Sequence, residues 1–129
     1  EETYTAGSTL DDETIKYVWG FPEAARTVTD QFEARLIIKK AVFDESVKDY
    51  HPTNPRCLFR YCRNMTTIEH LDYLNTDEAT DMQCMFNQCN SLESVDLSNF
   101  KTSKVGSMLA MFGDCWKLTE IVFPSTFDT

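Results

Sequence analysis

Three segments of this chain repeat one pattern, Met/Leu-Phe-x-x-Cys-x-x-Met/Leu, and their spacing limits the fold more tightly than any other feature. They are Leu58–Met65, Met85–Leu92 and Met111–Leu118. Phe59, Phe86 and Phe112 recur at intervals of 27 and 26 residues, as do Cys62, Cys89 and Cys115. Cys57, Cys84 and Ala110 form a second set in step with them. A unit this short cannot bury an apolar face alone, so each must stack on its neighbours, and like residues then line up as ladders.

Each of these segments runs into apolar positions spaced i, i+3, i+5, and a further copy lies upstream. The copies are Ile38, Ala41 and Phe43; Met65, Ile68 and His70; Leu92, Val95 and Leu97; and Leu118, Ile121 and Phe123. The last two positions of each copy share one face of a short strand, with polar residues between them. A further column, Val47, Leu74, Phe100 and Phe127, keeps the same period. A period near 26 falls within the ~20–29 residues of leucine-rich repeats. The expected fold is therefore an α/β solenoid, a leucine-rich-repeat-like right-handed coil of about four short parallel strands. The polar stretches Asn75–Met82 and Lys101–Met108 read as irregular or single-turn helical returns on the convex side.

Composition removes several function classes. There are 21 acidic against 12 basic residues, for a net charge of -9. Binding to a phosphate backbone needs clustered Lys and Arg, so no nucleic-acid partner is expected. No apolar run approaches the ~20 residues of a membrane span. The start, Glu1-Glu2-Thr3, has no Met, basic region or apolar region and reads as a processed product or an excised piece. Five cysteines fit a full disulfide framework poorly, and their columns suggest buried ladder thiols. Cys62 with Cys89, or Cys57 with Cys84, would approach disulfide range if their Cβ atoms allow it. A thiol nucleophile needs a base, and only His51 and His70 are available. His70 shares the strand column of Phe43, Leu97 and Phe123 and is expected to be packed or partly buried. With no Cys-x-x-Cys pair, no catalytic residue, metal site or cofactor is expected.

The run Asp96-Leu97-Ser98-Asn99-Phe100-Lys101-Thr102-Ser103-Lys104-Val105, followed by Met108, Met111-Phe112 and Cys115, resembles the repeat of BspA-like leucine-rich-repeat surface proteins. Ala41–Val47 and Ile68–Thr76 are similar to entry units of that family, so the likeness covers roughly residues 38–129. It departs at Glu78-Ala79-Thr80 and at Trp116-Lys117, which bear on local convex-side geometry. The resemblance implies a secreted or surface-anchored, non-catalytic protein that adheres to host matrix proteins and to other cells.

Residues 1–37 do not follow the repeat and are expected to form an irregular N-terminal cap, with residues 38–129 as the repeat domain. Within the cap, Thr14–Trp19 reads as a strand, Gly20-Phe21-Pro22 as its turn and Glu23–Arg26 as a helical turn, while residues 31–38 fit either helix or strand. At the other end, a final strand without a capping element is an exposed edge and a route to oligomers. The candidate binding surface is the outward strand face: Lys40, Thr67, Ser94 and Glu120 in one column, Val42, Glu69, Asp96 and Val122 in the next. Glu69 and Asp96, one unit apart, could attract a basic patch or a weakly held Ca²⁺; the plainer reading, favoured here, is that acidic residues keep the strand face solvated and discourage edge pairing. Residues 65–129 hold 10 acidic and 3 basic side chains, so a partner docking there should be basic. The sequence thus points to an extracellular or cell-surface adhesion module that binds a host matrix protein, a cell-surface protein or a glycan. The alternative is a structural spacer or scaffold without a ligand of its own.

Overall fold

A computed structural model of the protein describes residues 3–8, 10, 11 and 35–125. Five short strands are present among them: β1 (Thr3–Ala6), β2 (Lys40–Phe43), β3 (Thr67–Glu69), β4 (Ser94–Asp96) and β5 (Glu120–Val122). All pairings are parallel, and they form a three-stranded sheet in the order β1-β2-β3 and a two-stranded sheet of β4 and β5. The register steps by one repeat: Lys40 faces Thr67, Ala41 faces Ile68, Ser94 faces Glu120 and Val95 faces Ile121. Strand alternation sorts the side chains. Ala41 and Phe43 are fully buried, whereas Lys40 and Val42 between them are turned outward.

Four of these strands lie where the apolar columns place them; β1 is an addition. It sits inside the stretch expected to be an irregular cap, yet it pairs in register with β2, Thr3 beside Lys40 and Ala6 beside Phe43. The likeness continues past the strand. Leu10 donates its N–H to Gly7 at 3.0 Å just as Val47 donates to Asp44 at 3.0 Å, and Leu10 is buried like Val47. β1 and the bend from Gly7 to Leu10 thus follow the pattern of β2 and the bend from Asp44 to Val47. Arg35–Ile37 are helical. The expected strand at residues 14–19, its turn, the helical turn at 23–26 and Phe127 lie outside the described residues.

A second departure is the division between β3 and β4, where a continuous run of strands was expected. His70, at the end of β3, adopts a left-handed conformation with φ 60° and ψ 39°. An imidazole in the column filled elsewhere by Phe43 and Leu97 would have to give up its hydration. The left-handed turn sends His70 to solvent, and Leu71 takes the buried place.

The repeated Leu/Met-Phe-x-x-Cys segments form the most regular part of the molecule, although none is strand or helix. Backbone N–H groups alternate in direction along each one. Those of Leu58, Arg60 and Cys62 close bonds within their own turn, to Pro55, Cys57 and Phe59. Those of Cys57, Phe59 and Tyr61 reach the next unit, to Gln83, Met85 and Asn87 at 2.9, 2.7 and 2.9 Å. One repeat later Cys84, Phe86 and Gln88 reach Leu109, Met111 and Gly113 at 2.9, 2.8 and 2.7 Å. This alternation requires left-handed residues at fixed places. They are Cys57 and Tyr61, Cys84 and Gln88, and Ala110 and Asp114, with φ from 55° to 67° and no glycine among them. The conformation costs about 1 kcal/mol or more for a residue with a Cβ. Here the bonds made on both sides of each turn offset it.

Between the turns and the strands lies a core of stacked like residues. The rings of Phe59 and Phe86 stack at 5.2 Å, as do those of Phe86 and Phe112, nearly parallel in both cases. Phe43 closes the column edge-on against Phe59 at 6.1 Å. At the first turn among the described residues, the buried guanidinium of Arg35 supplies donors. Its Nη1 donates to the carbonyls of Leu58 and Arg60 at 2.9 Å each and to Cys57 at 3.2 Å. On the return side, buried Thr76 ties two units by exchanging bonds with the Lys101 backbone.

The stack makes Phe86 the most interlocked ring. Phe86→Ala is expected to cost about 3–5 kcal/mol in denaturant unfolding, because the hole opens between two stacked neighbours that cannot collapse into it. A loss under about 1 kcal/mol would contradict the stacking.

Candidate binding face

The outward columns of the strands gather all eight residues singled out from sequence. In the three-stranded sheet, Thr3, Lys40 and Thr67 form one outward row and Thr5, Val42 and Glu69 the next. In the two-stranded sheet Ser94 pairs with Glu120 and Asp96 with Val122, all four exposed. Thr3 and Thr5 extend the face and were missed, because β1 lies 37 residues before β2 rather than 26 or 27. Their only sequence signal is the short Thr-Tyr-Thr-Ala alternation.

The two acidic residues do not act together. Glu69 is paired with Lys40 at 2.7 Å, and Asp96 accepts from the Ser98 backbone at 2.9 Å. That contact with Ser98, through its side chain and its backbone N–H, holds the Asp96 carboxyl below the usual range. Because β3 and β4 belong to different sheets, a polar groove of about 390 Å³ opens between them. Ser94, Asp96, His70, Asp72 and Asn99 line it, together with the apolar Ile68, Leu71 and Val95. Exposed His70 stacks on Tyr73 at 4.6 Å, and Lys48 lies over the same Tyr73 ring at 4.4 Å. The packed imidazole expected at this position is therefore corrected to a solvent-facing one.

Elsewhere, carboxylates pair with basic side chains of neighbouring units. His51 Nδ1 lies 2.6 Å from Asp77, Lys104 lies 2.8 Å from Glu78, and Arg56 is 3.7 Å from Asp81. These pairs are largely exposed and contribute little stability each. They use cations in a region that has few, which leaves Asp96 and Glu120 on the strand face without a basic partner among the described residues. No group of three or more His, Cys, Asp or Glu side chains among those residues is arranged to hold a metal ion.

The thiols divide into two kinds, where the columns suggested one. Cys62 and Cys89 are fully buried, and the Cys89 and Cys115 thiols donate to the carbonyls of Phe59 and Phe86 at 3.2 and 3.0 Å. Cys57 and Cys84 are only half-buried, because they occupy left-handed turn positions rather than the interior column. Cys115 is half-buried for another reason: no following unit covers it among the described residues. All five are free. Burial pushes the Cys62 thiol up to about 12 from an ordinary 9.0, and raises Cys89 well above it too. Neither is a nucleophile at neutral pH.

The chain belongs to a protein family described as a Mycoplasma protein of unknown function, DUF285, whose model matches residues 39–128. No curated protein and no solved structure matches it.

The buried thiols give the fold a defined alkaline limit. Unfolded, Cys62 ionises near 9.0; folded, it resists until about 12, so the unfolded state binds fewer protons between these values. Stability is then full below pH 9.0 and falls as pH rises through that window to about 12. Cys62→Ala, though less stable at neutral pH, should lose measurably less stability across the same window in urea titrations. An equal loss in both proteins would show that the thiol is not buried.

Proposed function

We propose that this chain is a non-catalytic binding module of a surface protein, built as a short leucine-rich-repeat-like solenoid of the BspA type. The observation that carries the reading is the outward strand face. It is polar, each sheet is in register, and it bears Asp96 and Glu120, with Asp96 lining a groove together with His70 and Asp72. Concave strand faces of repeat arrays are a common place for partners to dock, because neighbouring units set side chains at a fixed pitch. A protein or glycan partner that brings Lys or Arg to Asp96 and Glu120 fits the local charge, and its association should weaken with salt. Extracellular or cell-surface placement and host matrix binding belong to the same proposal and rest on the resemblance over residues 38–129. No helix among the described residues is long and apolar enough to cross a membrane.

The test is binding of the isolated chain to immobilised matrix proteins and glycans at two salt concentrations, beside an Asp96→Lys/Glu120→Lys variant. Salt-sensitive binding that the variant loses is the expected result. Binding that survives both salt and the variant would move the site away from this face. A folded chain that binds nothing would favour the spacer reading, in which the ion pairs between units serve only to stiffen the stack.

A further inference from the structure

Cys57 and Cys84 stand outside the interior column of Cys62, Cys89 and Cys115 and form a pair of their own. Both are free, half-buried and left-handed, with φ of 61° and 56°. Each gives its backbone N–H to the following unit at 2.9 Å, Cys57 to Gln83 and Cys84 to Leu109. Matching backbone on neighbouring turns sets their Cα–Cβ bonds side by side. Nothing in that backbone calls for sulfur: Tyr61, Gln88 and Asp114 hold the other left-handed place in each turn, and Ala110 fills the thiol position in the third. The stack sets how far apart the two thiols lie. The rings of Phe59 and Phe86, two residues further along the same two turns, are 5.2 Å apart, near the ~4.8 Å spacing of adjacent strands. A disulfide needs Cβ atoms about 3.5–4.5 Å apart, so closing one would compress a ladder that backbone bonds hold on both sides.

We propose that Cys57 and Cys84 together bind copper(I). A cation between two thiolates needs no compression, since metal–thiolate bonds of about 2.3 Å place the sulfurs about 4.6 Å apart across a linear centre. Thiolates select soft cations, and copper(I) is satisfied by two of them in line, whereas zinc in a structural site takes four ligands. Among the described residues no group of three or more His, Cys, Asp or Glu side chains could hold a metal ion, so an ion content with two ligands is the one that fits. Each thiol loses its proton to water as its sulfur bonds the metal. Two thiols and one Cu⁺ thus give two protons and a dithiolate complex of charge -1, with no electron transferred and no oxidant required. Local charge suits that complex, because Cys57 lies in a stretch, residues 35–63, that holds 7 basic and 3 acidic side chains. The site joins two units at their turns and is independent of any partner bound on the strand face.

The test is titration of the reduced chain with copper(I), supplied as its acetonitrile complex under nitrogen, in competition with a chromogenic copper(I) chelator. Cys57→Ser, Cys84→Ser and Cys115→Ser variants are titrated beside it, with amide protection at Phe86 reporting in each case that the chain is folded. One equivalent is expected to bind to the parent chain and to Cys115→Ser, and to be lost from each of the other two. X-ray absorption at the copper edge of the parent chain should show two sulfur neighbours and no nitrogen or oxygen, a readout that depends on no variant. Absence of copper binding to the parent chain would overturn the proposal, as would binding that survives Cys57→Ser or Cys84→Ser, or copper with three sulfur neighbours. A Cys57–Cys84 disulfide formed by oxidised glutathione in the folded chain would also overturn it, because the pitch would then allow the closer approach.

Discussion

The alternation of backbone donors in the Leu/Met-Phe-x-x-Cys turns is the constraint on which the rest of the structure depends. A backbone N–H buried without a partner costs about as much as a lost hydrogen bond, so every one of these groups must be directed somewhere. Here half stay within the turn and half leave it for the next unit. That division fixes the pitch of the stack and forces Cys57, Tyr61, Cys84 and Gln88 into left-handed conformations. It also holds successive phenylalanine rings face to face at 5.2 Å. The strands on the opposite side are only three or four residues long, too short to impose a register alone. Turn bonds, ring stack and strands support one another.

A stack made this way has direction. Its backward end presents carbonyls and its forward end presents N–H groups, so a different chemistry is needed to finish each. At the first described turn Arg35 takes up the backward-facing carbonyls, for which a guanidinium is suited because it is rigid, carries several donors and is always charged. The interior that results is inert: its thiols are protonated and its rings are packed. The polar and charged side chains that reach solvent lie on the outward strand columns and in the groove between β3 and β4.

Much of this was legible in the sequence because like residues recur at one spacing. The places of β2 to β5, the Phe59–Phe86–Phe112 stack and the outward position of Lys40, Glu69, Asp96 and Val122 all follow from that period. Other features left no such trace. β1 escaped because Thr3 precedes its partner Lys40 by 37 residues rather than 26 or 27, so the columns do not align by count. The left-handed turns escaped because none of their residues is Gly, the usual mark of that conformation. Cys57 and Cys84 were read as interior for the same reason: their period was visible but their backbone angle was not. His70 shows the limit of a column argument, since one polar residue in an apolar column can rotate the backbone rather than accept burial. Arg35 gave no signal, because its role is set by three carbonyls more than twenty residues away.

The measurement that reaches the central claim most directly is the scalar coupling across individual backbone hydrogen bonds, read by NMR on the isotope-labelled chain. Couplings are expected from the Phe59 amide nitrogen to the Met85 carbonyl carbon and from Phe86 to Met111, with Arg60 coupled instead to Cys57 in its own turn. Coupling of Phe59 and Phe86 to carbonyls within their own turns would contradict it, because those segments would then be isolated helical turns rather than steps of a shared ladder.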